Sequence, residues 1–418
     1  MIIRNGNLIC KTLIILYLVT YFIPSFYSID RIGNQWLYLS IISLISISFI
    51  LFYSPIHKQI KSIAKRKSII IYFIFILWGL FSILYSYNKA EALVTFNQYF
   101  TVFVSFFIIN ILLIPLKNPT KFLLSILMVS LFLEVLASII PIFNDIEKGV
   151  LKYRSRNYAG VAANVNITAF SLLYKTPILL YFFSTERRVL IKVLYLIFFT
   201  LILLAISVLG TRSAFICVGV CFISFIIYIF QTNNKLSFKI KHILPIFGSI
   251  LIIIFLSKII STNETDIISR ASTIRLDTKD GSVNQRLRYY KQGIDYFFKN
   301  PIIGSGIGNW KILSIKYDKN DIDGYIVPYH AHNDFIQLLV ELGVFGLLLY
   351  SLFIFFSLKK LFSFSLFADK INYIYLGIAG IYFIDSMLNF PIARPISQLF
   401  LIFFISLISV YKTSTNEK

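Results

Sequence analysis

Apolar runs about the length of a bilayer's hydrocarbon core recur along the chain, divided by short polar loops. Residues 69–84, 190–209 and 345–358 carry no charge over most of their length. The pattern predicts helices at roughly 8–24, 36–54, 68–86, 96–116, 121–142, 160–183, 189–209, 212–230, 243–260, 332–358, 371–389 and 395–411. The fold class expected is therefore an all-α polytopic membrane protein of about twelve transmembrane helices. Three parts follow: N-terminal membrane helices over 1–260, a large outer loop over 261–331 before the tenth span, and C-terminal membrane helices over 332–418. The first apolar run lacks a small-residue cleavage site and is followed by further spans, so it reads as a retained helix.

Composition agrees with this picture. Hydrophobic residues are 57% of the chain and charged residues 14%, more apolar surface than a soluble chain of 418 residues could hide. Mean hydropathy is +0.78. The net charge of +21 would suit nucleic acid, but its placement does not. Lys58, Lys61, Lys65, Arg66 and Lys67 share one loop, and Arg187, Arg188, Lys235, Lys239, Lys241, Lys359 and Lys360 fall in loops of the same parity. The opposing short loops hold little beyond Arg31, Lys89, Arg212 and Arg394, apart from a basic cluster at 148–156. The positive-inside rule then puts both termini in the cytoplasm and 261–331 on the periplasmic side. Cys10, Cys217 and Cys221 all lie in apolar runs and imply neither a disulfide framework nor a metal site.

Candidate chemistry gathers where the outer segment re-enters the membrane. Residues 329–350 read YHAHNDFIQLLVELGVFGLLLY. His330 and His332 precede a helix on which Asp334, Gln337 and Glu341 share one face. Glu341 would lie about 13 Å along the axis from His332, and a carboxylate at that depth needs a partner or a wet cavity. Structural packing explains these groups as readily as function does. Gly343 and Gly346 suit close helix packing. Residues 285–299 have helical periodicity, and Asn300-Pro301 ends that helix. The Gly304-Ser-Gly-Ile-Gly308 run that follows is not preceded by a strand, so it reads as a packing turn rather than a nucleotide loop.

Arginines at the outer face are the second theme. Arg212 sits in a tight Gly210-Thr-Arg-Ser turn, Arg286 and Arg288 open the amphipathic helix, and Arg154 and Arg156 belong to another loop. Guanidinium groups grip paired phosphate oxygens, although lipid-headgroup anchoring is the simpler role for Arg154 and Arg156. Asn164 and Asn166 could line the same cavity or cap a helix. Glu134 and Lys175 are charges inside apolar runs without an assigned role.

With these residues in view, the chain resembles the O-antigen ligase and O-antigen polymerase superfamily. His332-Asn333, nine residues, then Gly343-Val-Phe-Gly346 is similar to the ligases' histidine, nine-residue gap, Gly-x-x-Gly signature. Leu347 departs from it where a threonine usually follows. Asn284-Gln-Arg-Leu-Arg288 leading to Asn300-Pro-Ile-Ile-Gly-Ser-Gly-Ile-Gly308, and the Gly210-Thr-Arg212-Ser turn, match further family segments. The resemblance implies a membrane glycosyltransferase moving a glycan from undecaprenyl diphosphate to an acceptor hydroxyl at the periplasmic face. The ligase reading takes lipid A core as acceptor. The alternatives are a polymerase, a protein O-oligosaccharyltransferase and, more remotely, a small-anion transporter.

In that reading His332, Arg212 and Arg288 are catalytic, with His332 the general base and the arginines on the diphosphate. Arg286, His330, Asn333, Asp334 and Asn164 bind substrate, with Asp334 available to orient the imidazole. Neither metal nor cofactor is expected, and the partners are the carrier-linked glycan, its acceptor and membrane lipids of the inner membrane.

Overall fold

The computed structural model describes residues 2–24, 26, 30, 32–162, 164–260, 281–318, 327–362 and 369–410. These form helices without strands, as the apolar periodicity predicts. In order they are α1 (Ile2–Val19), α2 (Gly33–Phe52), α3 (His57–Ala64), α4 (Lys67–Ser82) and α5 (Lys89–Leu113). Then come α6 (Pro119–Glu147), α7 (Val165–Thr185), α8 (Val189–Leu209), α9 (Arg212–Thr232) and α10 (Leu236–Ile260). The remainder are α11 (Gly281–Lys299), α12 (Trp310–Asp318), α13 (Asp334–Leu358), α14 (Asn372–Leu388) and α15 (Pro395–Val410).

Among the described residues, 8 helices are long and apolar enough to cross a membrane, and α4, α15 and residues 6–22 are shorter apolar helices. Length and composition thus support a multi-pass membrane protein without fixing the expected twelve spans. Of the expected outer loop, residues 261–280 and 319–326 lie outside the described residues, and α11 and α12 occupy most of the remainder.

Local sequence explains where helices begin and end. Asn88, Asn164 and Asn333 each accept two backbone N–H groups from the helix that follows, capping α5, α7 and α13. Gly210, left-handed at φ 60°, closes α8 and allows α9 to start at Arg212.

The chain divides into two compact units, one of residues 1–119, 276–360 and 386–411, the other of 120–275, 361–385 and 412–418. In the first, α13 lies along α4, with Tyr72 stacked on Phe353 at 4.2 Å. Serines and asparagines link its helices: Ser43 to Ser105 at 3.0 Å, and Asn110 to Ser406 at 3.0 Å. Meanwhile Phe52 is 90% exposed on α2. Polar contacts inside and apolar side chains outside are the arrangement that lipid as solvent selects.

In the second unit α7 is the central helix, packed by α8 and α9, and 83% of its apolar window is buried. It carries Lys175, whose Nζ donates to Glu134 Oε1 at 2.7 Å and to Ser171 Oγ at 3.0 Å. Those two intramembrane charges therefore satisfy each other. Tyr174 next to it donates to Asp385.

Candidate active site

The first unit holds a site built around the N-terminus of α13. Asn333 Oδ1 accepts the N–H groups of Phe335 and Ile336 at 3.0 and 3.1 Å, which fixes the start of the helix. The residue before it, His332, takes φ 55°, a left-handed conformation that a histidine rarely adopts. Its neighbours hold it there. Tyr290 on α11 donates to His332 O at 2.9 Å, and the Ala331 N–H donates to Gln337 Oε1 at 3.3 Å.

Further along, α13 is broken at Gly343, which has φ 65° and ψ −169°. The segment 301–309 fills the break. Ser305 N donates to Val340 O at 2.9 Å, Gly306 N to Glu341 O at 2.8 Å, and Val344 N to Pro301 O at 2.9 Å. Trp78 Nε1 takes the carbonyl of Leu342 at 2.9 Å. Backbone groups freed by the break are thus repaired by the glycine loop, which membrane interiors demand. Glu341 serves the same joint, accepting from Gly308 N at 2.8 Å and Trp310 N at 3.2 Å. A Cβ at Gly343 would run into the Ile302 backbone, and one at Gly304 into the Val340 carbonyl. The glycines of the loop and of the helix therefore explain each other.

The two histidines close around one ring. His330 stacks on Phe390 at 4.3 Å between centroids, and His332 meets it edge-on at 5.0 Å. The Arg394 guanidinium lies 4.8 Å from the centre of the same ring. Asp334 Oδ2 accepts the Ile392 N–H at 3.1 Å and ties this turn to α13. His330 Nδ1, His332 Nδ1 and Arg394 Nε are buried without a hydrogen-bond partner among the described residues. Buried polar atoms are seldom left so, and three in one place point to a polar ligand.

Burial pushes His332 down to about 4, and the charges of Arg286 and Arg394 add to the shift. His330 is held well below the usual imidazole value, first by burial and then by Arg394 and His332. Both imidazoles are neutral at pH 7 and can accept a proton. Burial also brings Arg394 down to about 10, which still leaves it charged. The cluster is a proton acceptor set beside fixed positive charge. That combination suits removal of a hydroxyl proton next to an anionic leaving group.

Residues 196–351 match the family described as O-antigen ligase. Over that stretch the chain is similar to the O-antigen ligase family, as the sequence motifs led one to expect. The matched stretch runs from α8 to α13 and so contains Arg212, the glycine loop, His332 and Gly343. Two proteins named as candidate polysaccharide ligases resemble the chain more widely. One from Rickettsia typhi is 24% identical over 299 residues, covering 69% of this chain and 67% of that protein. One from Rickettsia conorii is 23% identical over 295 residues, covering 69% of this chain and 66% of that protein. The chain therefore matches about two thirds of each relative's length.

The ligase-family residues expected from the sequence fall into both units. His330, His332, Asn333, Asp334, Arg286 and Arg288 belong to the first, Arg212 and Asn164 to the second. Arg286 is the arginine of α11 whose charge reaches His332, whereas Arg288 sits 5.7 Å from the Tyr289 ring. Arg212 is half-buried at the first position of α9, where Thr211 beside it donates to Asn166 Oδ1 at 3.0 Å. Asn164 is the cap of α7 and Asn333 the cap of α13, so both have a structural task. Glu341 turns out to be a structural contact, one of the two readings its sequence position allowed.

Sequence reading missed Phe390, Arg394 and Tyr290. A signal for Arg394 was there: it is an arginine between two prolines, in a loop of the same parity as Arg212, between two apolar helices.

Proposed function

We propose that the protein is a membrane glycosyltransferase that moves a glycan from a polyprenyl diphosphate carrier to an acceptor hydroxyl. The observation that carries this reading is the buried His332 Nδ1, without a hydrogen-bond partner among the described residues, on the Phe390 ring that the Arg394 guanidinium also covers. In the reaction, His332 takes the proton of the acceptor hydroxyl as its oxygen attacks the anomeric carbon of the donor sugar. The bond from that carbon to the diphosphate oxygen breaks, and the electron pair leaves with the diphosphate. Arg286 and Arg394 stabilise the charge that develops there, and Arg212 and Arg288 remain candidates for the same task. Because diphosphate is a good leaving group, no nucleoside triphosphate is consumed.

The reading extends to undecaprenyl diphosphate as carrier, lipid A core as acceptor and a periplasmic site on the inner membrane. Support comes from the family match and from the names of the relatives. Polymerisation of carrier-linked repeats is the second reading, favoured by Leu347 where ligases usually carry threonine.

Metal independence belongs to this proposal, and it rests on the outer segment lacking an Asp-x-Asp cluster, whereas Asp321-Ile-Asp323 is one, with a spacing able to hold a divalent ion. Those two residues lie outside the described residues. Among the described residues no group of three or more His, Cys, Asp or Glu is placed to hold a metal.

Deletion of the gene and electrophoresis of the envelope glycans tests the reading. Long glycan left on the carrier with bare lipid A core is the result expected of a ligase. A single repeat on the acceptor would indicate polymerisation instead, and an unchanged profile would contradict transfer to an envelope glycan.

A further inference from the structure

α11 buries one face in the protein and leaves a second apolar edge outside. It runs beside the first turns of α13: Tyr290 reaches His332 O, Gly293 packs on Ile336 and Val340, and Pro301 O accepts from Val344 N at 2.9 Å. On the packed side Tyr289 and Tyr296 join a buried cluster with Trp310 and Leu313. At about 100° per residue, Leu287, Ile294 and Phe298 fall on a different strip about 40° wide. All three are exposed, Phe298 by 74%. Asn284, Lys291, Asp295 and Lys299 lie beside this strip and are exposed as well.

The strip does not end with the helix. Ile302 and Ile303 follow it and are exposed, and Tyr85 donates to Ile303 O at 2.8 Å, which ties this corner to the C-terminal end of α4. There Leu77, Phe81 and Leu84 point outward, as lipid-facing side chains of a span do. α13 changes character at the same level. No large apolar side chain described between Asp334 and Gly343 is exposed, whereas Phe345, Leu348 and Leu352 beyond the break are. Trp78 and Tyr85, bonded to Leu342 O and Ile303 O, mark that level with the aromatic residues that favour a membrane boundary.

We propose that Leu287, Ile294 and Phe298, continued by Ile302 and Ile303, form a docking surface whose partner is the lipid leaflet on that side of the membrane. Continuity carries the argument. The strip joins the lipid-facing surface of α4 without a polar gap, and the apolar exposure of α13 starts where the strip arrives. Lys291 and Lys299 at its border are placed to meet headgroup phosphates, as on helices that lie at an interface. On the transferase reading above, docking sets the level of Arg286 and Tyr290 relative to the leaflet that holds a lipid-linked substrate. The docking itself does not depend on that reading.

The test uses the full chain in phosphatidylethanolamine and phosphatidylglycerol nanodiscs, with the buried Cys10, Cys217 and Cys221 replaced by alanine. Nitroxide labels are placed singly, at Leu287→Cys, Ile294→Cys or Phe298→Cys on the strip and at Asn284→Cys, Asp295→Cys or Lys299→Cys beside it. Paramagnetic resonance compares collision with molecular oxygen, which partitions into lipid, and with a water-soluble nickel chelate. The oxygen-to-nickel ratio should be several-fold higher on the strip than beside it. Equal ratios overturn the proposal, and so does a strip that neither reagent reaches, since protein then covers it.

If the cysteine replacements unfold the chain, Phe298→Trp and Asp295→Trp in the otherwise native protein decide the matter, because both positions are exposed. Brominated lipid should quench the added emission of the first and spare that of the second. Equal quenching of the two, or none in either, overturns the proposal.

Discussion

The carboxylate of Asp334 and the backbone N–H of Ile392 are joined at 3.1 Å, linking the start of α13 to the turn that carries Phe390 and Arg394. Both histidines pack on that Phe390. The site therefore depends on a bond between segments 58 residues apart in sequence. A charged acceptor makes such a bond worth about 1.5–3 kcal/mol. Asp334→Ala should lower transfer about tenfold or more as the turn moves away, at a cost of that order. Asp334→Asn, which keeps an oxygen for Ile392, should recover much of it. Equal loss in both variants would mean that the charge at Asp334 matters for another reason.

Gly343 occupies a conformation closed to other residues, with the Ile302 backbone where its side chain would be. Gly343→Ala should destabilise the protein by about 3 kcal/mol or more, from backbone strain and displacement of the loop. Thermal unfolding in detergent measures this. A variant with unchanged stability would show that the loop is not held by the break in α13.

Glu341 is positioned to hold the loop rather than to react. Glu341→Gln keeps one carbonyl acceptor where the carboxylate serves both Gly308 and Trp310. A stability loss of about 1.5–3 kcal/mol is expected, with kcat in the surviving folded protein within about threefold of the original. A large fall in kcat without a fall in stability would make Glu341 a participant in the chemistry.

The pH profile follows from the direction of the histidine shifts. His332 is pushed down to about 4 by burial, with Arg286 and Arg394 adding to the shift, so the free enzyme keeps its base unprotonated well below pH 6.5. The acid limb of kcat/KM should lie below the ordinary imidazole value. Arg286→Gln removes one positive neighbour and should raise that limb. The limb of kcat should also sit higher, because bound diphosphate offsets the arginines. The same shift makes stability fall with acid: the unfolded chain takes up a proton from about pH 6.5 downward. The stability that neutral His332 contributes is complete above that pH and is lost as pH drops toward the folded value. A wild-type kcat/KM limb at or above 6.5 would contradict the assignment of His332.

Chelation addresses the Asp321-Ile-Asp323 pair. Transfer by the purified protein should be unaffected by EDTA. Restoration of lost activity by added magnesium would give those aspartates a metal and overturn the metal-free reading.

The helices were legible because their apolar runs are long and a cap such as Asn164 is a local signal, whereas the Asn88 cap was not read and α5 begins at Lys89 rather than near residue 96. The histidine end of α13 was legible because His332, Gly343 and the glycine loop lie within one short stretch. The break in α13 was not, since Gly343 within an apolar run looks like a packing glycine until the loop that fills the gap is seen. Nor was the Phe390–Arg394 turn, whose contact with His332 depends on helices joined far along the chain. Charge alone could not separate Arg286 from Arg288, because both open the same amphipathic helix and only its rotation brings one toward His332.

The central claim, that His332 takes a proton from an acceptor hydroxyl, is tested most directly by single-turnover transfer with His332→Asn. Asparagine tolerates the left-handed backbone at φ 55°, so the substitution removes the imidazole while preserving the turn. The account predicts a fall of about 10²–10⁴-fold in the transfer rate, with donor affinity and thermal stability nearly unchanged. Transfer within about threefold of wild type would contradict it and leave His330 or another group as the base.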